Sequence, residues 1–224
     1  MEAASLSEHD PTSSRRLLDR LMTFSDGVFA IAMTLLVVQI TVPLIPETLP
    51  KAEIGHRLAS GLAALRPAYF SFGVSFVVIA AFWVAHHRTF IQLHRHDTGL
   101  VWLNLLLLLC IVFIPFPTAV LGRYGDQTVA AVFYAATLAV TGVVSGVVTA
   151  YADRRGLTDL GPEALPGLRI ARAAITPVVF LASIPVALVS PSAAEYSWVS
   201  LFVLNLFLNR IAAAYRRRRG APAS

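Results

Sequence analysis

Five stretches of this chain contain no Asp, Glu, Lys or Arg: Gly27–Pro46, Ala68–Ala85, Thr98–Gly122, Gln127–Ala152 and Ala173–Ala194. Each is long enough to cross the hydrocarbon of a bilayer as a helix, which takes about 20 predominantly apolar residues. A sixth stretch, Tyr196–Asn209, is shorter. It reaches crossing length by running on to Tyr215, with the Arg210 guanidinium extended to the headgroups. Composition points the same way. Hydrophobic residues make up 56% of the chain and charged residues 14%, with a mean hydropathy of +0.68, whereas soluble domains run near ~45–50% and ~25%. The sequence therefore predicts an all-α membrane protein of six transmembrane helices whose short loops hold no soluble domain. The expected organisation is a disordered cytoplasmic tail over 1–14, one six-helix transmembrane domain over 15–215, and a basic cytoplasmic tail over 216–224. Met1–Asp19 is polar and lacks the apolar core of a cleaved signal peptide.

The basic residues give the orientation. Six spans place both termini on one side. Of the 18 basic residues, all but Lys51, Arg57, Arg66 and Arg123 fall on that side. Positive charge stays cytoplasmic, so a multi-pass protein of the cell membrane with both termini inside is expected. The net charge of +5 is then a record of topology, not of nucleic-acid binding. Arg216 to Arg219 read as an anchor beside anionic headgroups, which makes membrane lipids a partner.

The start of the first span breaks the apolar pattern. In the stretch Arg20–Asp26, an arginine and a carboxylate lead straight into the apolar run. An ionisable group at that depth faces the bundle interior and needs a partner. Depth supplies the candidates. The second helix descends, so Trp83, His86 and His87 reach the level of Ser25 and Asp26. The third helix rises again and brings Trp102 and Asn104 there. Such a cluster can satisfy its own hydrogen bonds and fix helix register. It can equally sense protons, because histidine titrates near neutral pH. His86, His87, His94 and His96 crowd this edge, and imidazole suits zinc. No cysteine or carboxylate spacing completes a metal site, so no metal or cofactor is expected. The chain carries neither HExxH nor GxSxG, and an enzyme is not expected.

Beyond Asp26, Ile31, Leu35 and Val38 recur at i, i+4 and i+7 and share one helix face, with Thr34 beside it. Inside a single bundle this stripe is ordinary core. Where several copies meet at an axis, it becomes a ring of aliphatic side chains that gates by dewetting. Spacing alone leaves both readings open.

The pattern Arg20-x-x-x-Phe24-Ser25-Asp26, with Trp83–Phe90 ("WVAHHRTF") and Leu100–Gly122 ("LVWLNLLLLLCIVFIPFPTAVLG"), resembles the prokaryotic relatives of the lysosomal potassium channel. The resemblance implies six helices per protomer, a homotetramer, and a first helix that lines a central pore. It implies a channel with modest preference for potassium over sodium, K+ being the permeant ion. Ile31, Leu35 and Val38 would face the pore as a hydrophobic constriction, and Thr34 would supply a hydroxyl layer linked to selectivity. Val38 stands where leucine is common in the family, so the ring there would be wider. Arg20, Phe24, Ser25, Asp26, Trp83, His86, His87 and Asn104 would form the network that buttresses the helix. The rival is a secondary ion- or proton-coupled transporter, with Pro115, Pro117, Pro177 and Pro185 as helix breaks.

Overall fold

The computed structural model describes residues 11–46, 48–159, 166–198 and 210. In chain order its helices are α1 (Pro11–Val38), α2 (Lys51–Ala64), α3 (Arg66–Phe90), α4 (Thr98–Phe113), α5 (Pro115–Tyr124), α6 (Thr128–Arg154), α7 (Pro166–Val189) and α8 (Pro191–Ser197). Four stretches are long and apolar enough to cross a membrane: Arg15–Val38, Arg66–Phe90, Thr98–Tyr124 and Thr128–Arg154. A shorter apolar helix covers Ala173–Val189 within α7. Most of the sixth expected span, Tyr196–Asn209, lies outside the described residues, as do 1–10 and 211–224.

The boundaries differ from those expected in three places. The first span lies earlier than the charge-free run. Its helix begins at Pro11 and stops at Val38, and Thr41–Pro46 is not helical. The charged residues Arg15, Arg16, Asp19 and Arg20 extend the helix beyond its apolar part, and Pro43 and Pro46 prevent it from running on. The stretch Leu44–Arg66, expected as a loop, contains α2, a helix with no buried residue. The third span is interrupted at Ile114, which closes α4 and opens α5 with helical dihedrals on both counts. Pro115 and Pro117 each remove a backbone donor there, which bends a helix without ending the crossing.

α1 packs on α3 and α4, α3 packs on α5, and α6 is central, touching α4, α5 and α7. The α6–α7 interface is the broadest. Gly142 permits it, since a Cβ there would stand 2.7 Å from Pro177 Cδ. α8 is pinned by Trp198, whose indole donates to Ser183 Oγ at 2.9 Å and whose ring lies 4.8 Å from that of Tyr134. The bundle centre holds one polar chain. The Ser75 hydroxyl is 2.9 Å from the Tyr134 hydroxyl and 2.8 Å from that of Thr118, tying α3, α6 and α5 together. All three side chains are buried, so each hydroxyl depends on the others for satisfaction.

Candidate functional site

α1 buries one narrow stripe and leaves most of its remaining circumference exposed. Leu18, Ser25, Phe29, Ala32 and Leu36 are buried against the bundle. Their spacing of 7, 4, 3 and 4 keeps them on one stripe of a helix with 3.6 residues per turn. The other stripe carries Phe24, Ile31, Leu35 and Val38, exposed by 55, 58, 39 and 73%. Thr34 lies beside it, also exposed, and its hydroxyl donates to the Ile31 carbonyl at 2.8 Å. The stripe expected to be either core or constriction is therefore not core of the protomer.

The buried stripe holds the polar part of the site. Asn104 on α4, fully buried, is its hub. Its amide nitrogen donates to Ser25 Oγ at 3.0 Å, and its amide oxygen lies 2.9 Å from His86 Nε2. With the amide oriented this way, His86 carries its proton on Nε2 and donates it. The Ser25 hydroxyl in turn donates to the Leu21 carbonyl at 2.8 Å. His86 is held flat against Phe90, with ring centroids 3.9 Å apart, and Phe29 closes its other side at 5.5 Å. One hydrogen-bonded run thus joins α1, α4 and α3.

Asp26 is anchored separately. It accepts from the Trp83 indole at 2.8 Å. Trp83 in turn stacks on His87, with centroids 5.4 Å apart. Nδ1 of His87 is buried and has no hydrogen-bond partner among the described residues.

The structure thus brings Ser25, Asp26, Trp83, His86, His87 and Asn104 together and separates three residues expected with them, Arg20, Phe24 and Trp102. Arg20 is exposed and forms no ion pair with Asp26 among the described residues. Six residues along a helix turn the side chain by about 600°, so Arg20 and Asp26 project roughly 120° apart. Phe24 leaves the network for the same reason and joins Ile31 on the exposed stripe. Trp102, expected at this level, points outward and is 68% exposed. Sequence reasoning missed the Ser75–Thr118–Tyr134 chain. The available signal was three hydroxyl side chains inside otherwise apolar runs.

Metal-binding groups of three or more His, Cys, Asp or Glu are absent among the described residues. The hydrogen bonds tie α1 to α3 and α4.

The family model for the endosomal/lysosomal potassium channel TMEM175 matches residues 20–115, the part of the chain that contains this site. A potassium channel of Streptomyces collinus is 45% identical over 105 residues, covering 47% of this chain and 48% of that protein. A potassium channel of Chamaesiphon minutus is 48% identical over 107 residues, covering 47% and 49%. The aligned region is thus about half the length of these curated relatives. The likeness in three dimensions extends further. A crystal structure of a lysosomal potassium-selective channel TMEM175 homolog from Chamaesiphon minutus superposes with a TM-score of 0.69 at 31% identity, over 88% of this chain and 98% of that one. The motif on α1, the helices that anchor it and the bundle beyond them make this multi-pass membrane protein a member of the TMEM175 family.

Proposed function

We propose that the chain is one protomer of a potassium-conducting channel of the cell membrane. Four copies surround a central pore lined by α1, each with six transmembrane helices and both termini cytoplasmic. The observation that carries this reading is the two-faced α1. Its polar face is hydrogen-bonded into the bundle, while Ile31, Leu35 and Val38 form an aliphatic stripe that the protomer leaves uncovered. A helix whose rotation is fixed so firmly presents a defined set of side chains to an axis.

In such a pore Ile31, Leu35 and Val38 are stacked apolar rings. Water gains no hydrogen bonds there and an ion gives up hydration, so the rings hold the closed state dry. Thr34 offers few oxygens, and its hydroxyl proton is already engaged by the Ile31 carbonyl. The lone pairs that remain can face a cation. Narrow dehydration with one hydroxyl layer gives modest potassium preference. The described residues contain no Thr-Val-Gly-Tyr-Gly filter of the kind other potassium channels use.

The test compares potassium and sodium flux into liposomes for wild type and three variants. Ile31→Asn and Leu35→Asn place amides in the apolar rings and should raise conductance or open probability while lowering discrimination. Thr34→Ala keeps the rings and removes hydroxyl oxygens, so it should lower selectivity with little added leak. Asn variants that conduct like wild type would place the stripe against lipid or protein and remove α1 from the permeation path.

A further inference from the structure

A second set of polar contacts lies two helical turns beyond Asn104, at the end of the bundle where α3 returns into α4 and α6 into α7. Asp97 opens α4 as its N-cap, accepting from the Leu100 N–H at 2.8 Å. The other carboxylate oxygen accepts from the Tyr151 hydroxyl on α6 at 2.9 Å and pairs with Arg155 Nε at 3.4 Å. Burial works to raise the Asp97 pKa, but these donors outweigh it and hold the carboxyl below its ordinary 3.8. Gly99 makes room for this contact, since a Cβ there would stand 2.2 Å from the Tyr151 hydroxyl oxygen.

The backbone closes the same junction. α6 ends in a turn with Gly156 at φ +63°, the left-handed region that glycine enters freely. The Leu157 N–H then bonds back to the Ala152 carbonyl at 2.9 Å, and Gly156 N–H to Asp153 at 3.1 Å. This paired closure of a helix end redirects the chain. It runs alongside the α3–α4 loop, where His94 N–H donates to the Leu157 carbonyl at 3.0 Å and Asp159 N–H to the Gln92 carbonyl at 2.8 Å. Arg169 on α7 completes the junction. It grips Asp153 with two nitrogens, at 3.1 and 2.9 Å, and also donates to the Gln92 side chain.

We propose that this clasp between the α3–α4 loop and the ends of α6 and α7 positions α4, so that Asp97 and Tyr151 act through Asn104 on the rotation of α1. The coupling is mechanical. Asp97 fixes the first residue of α4, and Asn104 lies seven residues on, about 10 Å along the same helix. α4 is continuous between them, so a shift at the cap moves the amide that holds Ser25. Among the described residues, α6 and α7 make no hydrogen bond to the polar side chains of α1. The clasp is one polar route to it, through α4; the other runs through α3, where Ser75 and Thr89 meet Tyr134 and Thr149 of α6.

Any effect on current rests on the channel reading above, and the test therefore has two arms. Tyr151→Phe removes one hydroxyl and leaves the α4 cap intact. Gly99→Ala places a methyl group on the Tyr151 hydroxyl position and displaces it. In nanodiscs, both variants should speed hydrogen exchange across residues 21–29 of α1 by about ten-fold, the shift carried by losing one hydrogen bond to a charged group. Their elution on size exclusion should match wild type. In planar bilayers both should change open probability several-fold at unchanged single-channel conductance, which a mere loss of folded protein would not do. Faster exchange confined to the Asp97–Val101 turn and the end of α6, with α1 at the wild-type rate, would overturn the proposal. A wild type that carries no current would remove the channel reading, and the exchange arm would still decide the clasp.

Discussion

Asp26 accepts its hydrogen bond from the Trp83 indole, not from an arginine, and that partner sets what losing each residue costs. Trp83→Phe keeps an aromatic ring to stack on His87 but leaves a half-buried carboxylate without its donor. Hydrogen bonds to charged groups contribute about 1.5–3 kcal/mol, so this variant should lower stability by roughly that amount in thermal unfolding of the detergent-solubilised protein. Arg20→Ala removes no hydrogen bond or ion pair among the described residues and should stay within ~0.5 kcal/mol, as surface substitutions do. Equal losses from the two variants would restore Arg20 to the α1 anchor. The sequence made this site legible by depth. Counting residues from the membrane edge placed Arg20, Ser25, Asp26, Trp83, His86, His87, Trp102 and Asn104 on one level; the structure bonds Asn104 to Ser25 and His86, and Asp26 to Trp83, and turns Trp102 outward. Depth did not by itself reveal partners. Partner choice depends on rotation about each helix, and the six-residue offset of Arg20 from Asp26 was the readable sign that they diverge.

The helices show where an apolar pattern is a sound guide and where it fails. The charge-free runs located the cores of α3, the α4–α5 pair and α6 because those segments must hide their backbone in hydrocarbon. The start of α1 was not legible, since helix propagation does not require apolar residues and Arg15 to Arg20 continue the same ladder. α2 escaped because a short helix that buries nothing leaves no long apolar run. The clasp escaped because it joins the α3–α4 loop to the ends of α6 and α7, 54 to 77 positions away, and only the Asp97 cap is a local signal. α8 supplies a prediction at this scale. Its Glu195 packs against the α5–α6 turn, where a Cβ on Gly125 would stand 2.8 Å from the carboxylate oxygen. Burial pushes its pKa up from 4.5 to about 7. The folded protein thus holds this proton more tightly than the unfolded chain. The stability it contributes is complete below pH 4.5 and is lost as pH rises through about 7. Melting temperature measured from pH 4.5 to 8 should fall more for wild type than for Glu195→Gln. Parallel curves would mean that α8 leaves this carboxyl in water.

At the scale of the whole molecule, the two faces of α1 divide the labour. One is held by Trp83, Asn104 and the bundle behind them, and the other is free to meet an axis. Lipid would satisfy the exposed Ile31–Val38 stripe as it would Leu109 or Val140, so exposure alone does not decide whether this stripe meets lipid or a pore. In the proposed four-copy assembly the stripe lines the axis. The most direct measurement uses the single native cysteine, Cys110. In a Cys110→Ala background, cysteine is placed singly at Ile31, Leu35 and Val38, and at the buried positions Phe29 and Leu36 as controls. Potassium current across a planar bilayer is then recorded while a charged thiol reagent is added. Modification at Ile31, Leu35 or Val38 should block the current, and the reagent should leave Phe29 and Leu36 channels conducting. Full current after proven modification at all three stripe positions would contradict the claim that α1 lines the pore.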